Sequence, residues 1–239
     1  MGPLRLAAGF VCVGTLVTVL LPLLVLLLPF RVLRIRLTNF FGTLIGRSVM
    51  WCAGCPVTVE GLEHVTRAGP AIFACNHTSI FDAFTTIWLT PPGTVGVAKK
   101  EVLFYPFYGQ AWWLAGHVFL DRGRTERAKA SLRRAATFIR DHGLSLCILP
   151  EGTRSEDGRL LPFKKGIVHL ALETKLPIVP MVTLGLAGVW KRSTLRLRPA
   201  KVTIRFLPPI RTDGWTEDRI DEHLAEIRAP FLDALDQHE

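Results

Sequence analysis

The sequence predicts an α/β layer fold preceded by a greasy N-terminal segment, and three observations carry that expectation. Residues 6–30 hold no charged side chain. From Pro56 onward, short β-rich runs alternate with stretches of helical periodicity, the pattern of strands and helices packed in layers. The 239 residues are 49 % hydrophobic and 21 % charged, enough for one large domain with an appendage. The same figures exclude a disordered chain, a collagen, a coiled coil and a disulfide-rich scaffold.

Taken in chain order, the charge-free run comes first. As a helix at ~1.5 Å per residue it reaches ~37 Å, longer than the ~30 Å hydrocarbon core of a bilayer. It ends in Pro29-Phe30-Arg31, which is no small-x-small cleavage site, so a transmembrane helix or a re-entrant hairpin is expected over a signal peptide. Pro22 lies inside the run and can kink it. Residues 31–52 read as a second helix, mostly apolar. Arg36, Asn39, Thr43 and Arg47 form one narrow polar stripe on it, expected to face lipid headgroups, with a core helix carrying a solvated edge as the alternative.

The charge is uneven. Of 29 basic and 20 acidic residues, five arginines (Arg5, Arg31, Arg34, Arg36, Arg47) precede the first acidic one, Glu60. A basic, apolar N-terminus points to an anionic membrane surface, with residues after 30 on the cytoplasmic side. No dense basic run or nucleic-acid motif appears, so nucleic acid is not expected as a partner. Cys12, Cys52, Cys55, Cys75 and Cys147 are odd in number and sit in apolar contexts. The lone Cys52-Ala-Gly-Cys55 pair lacks the further ligands that zinc needs and reads as buried thiols of a reducing compartment. The division expected is a membrane-embedded helical motif over 1–55 and an α/β domain over 56–239, with the chemistry, all beyond residue 70, separable from the motif.

Within the body, strands are expected at Val57–Glu60, Ala71–Cys75, Thr94–Ala98, His117–Leu120, Leu144–Leu149, Ile178–Thr183 and Lys201–Phe206. A helix is expected between Thr125 and His142. Thr125 is its cap, Ala128, Leu132, Ala135 and Ile139 share a face, and Gly143 stops it. Further helices are expected near 79–89, 166–175 and 216–229, the last broken near Pro230. The aromatic run at 102–113, which includes Phe104, Trp112 and Trp113, suits a bilayer surface, an acyl tunnel or ordinary core packing.

Three clusters carry chemistry. Asn76-His77-Thr78-Ser79-Ile80-Phe81-Asp82 follows an apolar strand and opens a helix, the edge of an α/β sheet where active sites lie. A carboxylate five residues beyond His77 can reach back to its Nδ1, leaving Nε2 as a general base; the alternative is a capped helix start with a satisfied histidine. Ser79 has no G-x-S-x-G elbow around it, which disfavours a serine hydrolase, and no third ligand completes a metal site. Gly116-His117-Val118-Phe119-Leu120-Asp121-Arg122 and Glu151-Gly152-Thr153-Arg154 each place an arginine at a strand end, where its planar fork suits phosphate.

In order, the blocks Asn76–Asp82, Gly116–Arg122, Glu151–Arg154 and Ile178-Val179-Pro180-Met181 resemble the glycerolipid acyltransferase family, of which the 1-acylglycerol-3-phosphate acyltransferase is the best-known type. The resemblance covers roughly residues 56–210, and Thr78 stands where a glutamine is common. It implies an α/β fold with a mixed sheet flanked by helices and an N-terminal two-helix membrane motif. It also implies transfer of a fatty acyl group from acyl-CoA or acyl-ACP to the sn-2 hydroxyl of 1-acylglycerol-3-phosphate, giving phosphatidic acid with no metal or redox cofactor. His77 would be the general base and Asp82 its partner. Lys100, Gly116, Phe119, Arg122, Glu151, Gly152, Thr153 and Arg154 would line the acceptor site, and the fourth block would serve donor binding or packing. Partners are membrane lipids and lysophosphatidic acid or a related lysolipid, at the cytoplasmic face of a bacterial inner membrane. The same chemistry on a lyso-ornithine lipid or another lysophospholipid is the alternative, ahead of a non-catalytic lipid-binding protein. The oxyanion donor is expected among backbone N–H groups near residues 77–82.

Overall fold

The computed structural model describes residues 2–104, 108–120, 126–155, 157–190 and 197–237. Its seven strands are β1 (Val57–Glu60), β2 (Ile72–Cys75), β3 (Thr94–Lys99), β4 (Val118–Leu120), β5 (Ser145–Ile148), β6 (Ile178–Leu184) and β7 (Val202–Phe206). They form one mixed sheet in the order β1-β7-β6-β2-β5-β3-β4. From β6 to β4 all neighbours are parallel; β7 runs antiparallel to β6, and β1 is parallel to β7. All seven expected strands are present, each end within one residue of its expected place.

The helices are α1 (Gly2–Leu26), α2 (Arg31–Ala53), α3 (Leu62–Ala68), α4 (Asp82–Leu89), α5 (Tyr108–Leu114), α6 (Glu126–Asp141), α7 (Gly166–Thr174) and α8 (Ile220–Asp236). Gly143 ends α6 as expected, with φ 57° and its N–H on the Arg140 carbonyl. The capping role assigned to Thr125 lies outside the described residues. The sequence gives no signal for α3, because none of its residues is fully buried and no apolar stripe marks it. The break expected at Pro230 does not occur: α8 continues to Asp236. Its buried residues His223, Ile227, Phe231 and Ala234 keep helical spacing across the proline. Phe231 also packs edge-on against Phe163, with centroids 5.2 Å apart, which offsets the lost hydrogen bond.

Both faces of the sheet are covered, so β2 reads as an unbroken apolar run. Ile72 and Ala74 join one core with Ala135 and Ile139 of α6, Ile167 of α7 and Phe231 of α8. Ala71, Phe73 and Cys75 join the other with Val49 and Met50 of α2 and Phe206 of β7. The five cysteines are free thiols.

α1 and α2 form an antiparallel hairpin. The polar stripe on α2, however, does not face one way. Arg36 and Arg47 are exposed, but Asn39 is buried; its Nδ2 donates to the Thr94 carbonyl at 3.0 Å and its Oδ1 accepts the Gly93 N–H at 2.8 Å. Gly42 and Gly46 sit so close to α4 that a Cβ at Gly46 would lie 2.4 Å from the Phe84 carbonyl oxygen. Three of the five early arginines serve the protein rather than a headgroup. Arg5 donates to the Ala53 carbonyl at the end of α2, Arg34 to the Trp113 and Leu114 carbonyls at the end of α5, and Arg31 to the Gly116 carbonyl at 3.0 Å. Helix C-termini carry unsatisfied carbonyls and partial negative charge, so arginine is a suitable partner there. Ile35 of α2 is wholly buried in the same core as β2 and α6. α2 is thus part of the packed body, and the division at residue 55 does not separate two independently packed units.

Candidate active site

The strand order sets the place. The connection from β2 to β3 runs through α4 on one face of the sheet and that from β5 to β6 through α7 on the other, so the loops leaving these neighbouring strands turn to opposite faces, the arrangement that makes a crevice at strand carboxyl ends. His77 follows β2 and Glu151 follows β5, on the two sides of that crevice.

His77 is held by its ring and by its backbone. Its Nδ1 lies 3.0 Å from Asp82 Oδ2, with Asp82 wholly buried and the His77 side chain 24 % exposed. The same carboxylate oxygen accepts the Thr78 and Ser79 N–H groups, each at 2.7 Å. A buried carboxylate needs such donors, and three converging on one oxygen fix its plane. With Asp82 accepting from Nδ1–H, the imidazole keeps Nε2 as its acceptor, the state a general base requires.

The His77 backbone is tied to the β5 loop on both sides. Its N–H donates to Glu151 Oε1 at 2.6 Å, and its carbonyl accepts the Ser155 N–H at 2.8 Å. Glu151 Oε2 accepts the Leu161 N–H at 2.8 Å. Burial pushes the Glu151 carboxyl above the usual carboxylate range, and the two N–H bonds oppose that rise. Across the other edge of β2, the buried Asn76 accepts the Thr183 N–H at 2.7 Å and donates to the Thr183 carbonyl at 3.0 Å. The N–H groups of residues 77, 78 and 79 are therefore committed within the protein, and the expected oxyanion donor is none of these three.

Arg154 leaves the same loop half-buried and makes no hydrogen bond or ion pair among the described residues. Gly152 has φ 72°, a left-handed turn that glycine adopts without strain, and brings the backbone round between Glu151 and Arg154. Thr153 is exposed at the tip, and Lys100 is exposed just past β3, which is β5's other neighbour. Gly116 and Phe119 stand apart. Gly116, at φ 86°, packs under α2, where a Cβ would come within 3.1 Å of Ile35; Phe119 is mid-strand in β4. Arg122 lies outside the described residues. Sequence reading gave no role to Ser155 or Thr183, since each acts through its backbone, and placed Leu161 only within a run, Leu161–Gly166, that looks familial. Asn76, the sole polar residue between an all-apolar strand and His77, was a usable signal.

In the aromatic segment, Trp112 turns inward over Gly96, while Phe104 and Trp113 face outward. The Trp112 ring lies 4.4 Å from that of His117, a buried residue whose Nδ1 accepts the Gly96 N–H at 3.1 Å. Burial, helped by the charge of Arg31, pulls the His117 imidazole down to about 4. Because it is lowered from 6.5, the unfolded chain binds a proton between those values that the folded chain refuses. Stability from His117 is therefore complete above pH 6.5 and falls as pH drops towards 4, by up to about 3 kcal/mol. His117→Gln, whose amide oxygen can accept from Gly96, should flatten the dependence. Thermal unfolding at pH 7 and pH 5 will show a smaller difference for the variant than for the wild type, and equal differences would reject the assignment.

A family model for acyltransferases matches residues 56–184. The chain is 49 % identical over 210 residues to a 1-acyl-sn-glycerol-3-phosphate acyltransferase of Limnanthes douglasii, covering 88 % of this chain and 74 % of the relative. It is 44 % identical over 231 residues to the enzyme of that name from Cocos nucifera, covering 97 % and 74 %. In fold it is similar to the crystal structure of the 1-acyl-sn-glycerophosphate (LPA) acyltransferase PlsC from Thermotoga maritima. The TM-score is 0.68 at 24 % identity, covering 84 % of this chain and 81 % of that one. Sequence identity at this level along most of the chain, on a sheet that ends in a hydrogen-bonded histidine–aspartate pair, leads to one conclusion: this protein belongs to the acyltransferase family.

Proposed function

We propose that this acyltransferase moves a fatty acyl group from acyl-CoA or acyl-ACP to the sn-2 hydroxyl of 1-acylglycerol-3-phosphate, yielding phosphatidic acid. The observation that carries the reading is the His77–Asp82 pair at 3.0 Å, in a crevice that also presents Arg154, which makes no hydrogen bond or ion pair among the described residues. His77 Nε2 takes the hydroxyl proton as the oxygen attacks the thioester carbonyl. Asp82 stabilises the resulting imidazolium. Collapse of the tetrahedral intermediate breaks the carbon–sulfur bond, and the imidazolium returns its proton to the departing thiolate. A thioester is already activated, so one base and one charge clamp suffice. Arg154, on the loop after β5, and Lys100, which opens the short 3-10 turn after β3, stand at the same edge of the sheet, where a phosphomonoester would bind. The names of the matched relatives supply the acceptor.

The substrate would be drawn from a bilayer. α1 contains one helix, Leu4–Leu26, long and apolar enough to cross a membrane, with 11 % of its most apolar window buried. α2 adds the exposed Phe40, Leu44 and Trp51. We place this hairpin in the cytoplasmic leaflet, with the crevice opening at the headgroups.

The test is an acyl-transfer assay of the purified chain against a panel of lysolipids with both donor types. Arg154→Ala should lower kcat/KM on 1-acylglycerol-3-phosphate by about 10- to 100-fold, mainly through KM, as expected for a lost charged hydrogen bond. It should change turnover of a lysolipid lacking the phosphomonoester by less than about 3-fold on the same grounds. Equal losses on both acceptors would make Arg154 structural. Preference for a lyso-ornithine lipid or another lysophospholipid would replace the acceptor and keep the chemistry.

A further inference from the structure

We infer that Glu151 is a positioning residue that sets the backbone of His77 and does not hold the acceptor; the inference rests on the general-base reading of His77. Glu151 is 1 % exposed. Each carboxylate oxygen is committed to a backbone donor, Oε1 to His77 at 2.6 Å and Oε2 to Leu161 at 2.8 Å. The adjoining Ser155 N–H, at 2.8 Å, holds the His77 carbonyl. Residues 151–155 thus grip both backbone groups of the residue that must deliver Nε2 to the substrate.

The sheet explains why a side chain does this. The β2–β5 ladder ends at Ala74 and Ile148. Beyond that point the two strands part, the regular ladder ends, and the Ser155 N–H to His77 carbonyl bond is a peptide contact between the two loops. Glu151 spans the gap with a side chain, as Asn76 does towards Thr183 on β6. A glutamate suits the position because two N–H donors converge on it and a carboxylate only accepts. A glutamine of the same size would turn a donor towards one of them. The loop running from residue 157 to Leu161 is gathered into the same clamp, which leaves Arg154, half-buried between the two anchored points, as the charged group of this block that makes no hydrogen bond or ion pair among the described residues.

In the catalytic cycle the clamp acts on geometry. A displacement of about 1 Å at a reacting group is enough to cost about 100-fold in rate while leaving binding alone. Glu151→Gln should therefore lower kcat by about 10- to 100-fold, with KM for the acceptor within about 3-fold of wild type. This is the reverse of the split expected for Arg154→Ala.

The experiment uses the full chain in mixed lipid–detergent micelles with 1-acylglycerol-3-phosphate and an acyl-CoA. A fall in kcat at unchanged acceptor KM supports the inference. A raised KM with kcat retained would put Glu151 on the acceptor, and unchanged kinetics would remove it from the site; either overturns the inference. Should Glu151→Gln fail to fold, hydrogen exchange in the wild-type chain decides. The His77 and Leu161 amides should be protected without acceptor and keep that protection when acceptor is added. Faster exchange at either amide on acceptor binding would mean that the carboxylate releases it for substrate, and the inference would be wrong. Full activity in a His77→Ala control would instead strike the general-base reading, an outcome that the exchange data distinguish.

Discussion

Replacement of His77 by alanine is expected to lower kcat by about 100- to 10,000-fold, the usual contribution of a general base, while the acceptor still binds. The ring is 24 % exposed at the crevice and its loss leaves no large cavity, so the variant should remain folded. Asp82→Asn should be comparably severe. Its Oδ2 gathers the imidazole and the Thr78 and Ser79 N–H groups, and a neutral amide in that place lacks the charge that stabilises the imidazolium as it forms. The pair acts as a unit, so the double variant should lose little more than the worse single one. Steady-state kinetics on the three variants, with thermal unfolding to confirm folding, provide the check. A His77→Ala enzyme with near wild-type kcat would remove the mechanism.

Deleting residues 1–52 is expected to abolish folding and activity on every acceptor, including a short-chain, detergent-dispersed one. Reading the sequence alone favours the opposite, because the chemistry all follows residue 70. The structure changes the expectation through α2. Its removal bares the core around Ile35 and Met50, and burial of each such side chain is worth about 1.5–3 kcal/mol. It also strips the Gly93 N–H and the Thr94 and Gly116 carbonyls of their partners, at about 1–3 kcal/mol for each that stays buried. The total rivals the ~5–15 kcal/mol that holds a domain together. Deleting α1 alone, residues 1–26, should be far milder, since its outer face, with Phe10, Val11 and Val19, is exposed. Circular dichroism and an assay with dispersed acceptor separate the cases: an active, folded chain lacking residues 1–52 would show that α2 is an appendage after all.

The strands were legible because both faces of the sheet are covered. Each central strand must then be apolar along its length, as in Ile72–Cys75 and Ile178–Leu184, and turn residues bound them sharply. The His77–Asp82 approach was legible for a local reason: five residues and the first turn of a helix settle where the carboxylate can reach. α3 and the helix of the aromatic segment left weaker traces, since short elements with little buried surface impose no periodicity. Pro230 misled for a different reason. Propensity disfavours proline inside a helix, but Phe231 and Ile227 bury enough surface on one face to override it.

By itself, then, the sequence determined the α/β alternation, the apolar hairpin and the residue types that gather at the crevice, because each of these is written in composition, period or spacing along the chain. Only the tertiary structure decided what the polar groups of the N-terminal segment are for. A stripe read on one helix looks like a face for headgroups, yet Asn39 meets β3, and Arg31 and Arg34 meet the end of α5. The same holds for Glu151, whose partners are backbone N–H groups 74 and 10 residues away. A backbone donor is the same at every position but proline, so no sequence pattern marks it. Which amide a buried carboxylate receives is settled when the strands assemble and bring the chain ends of β2 and β5 side by side.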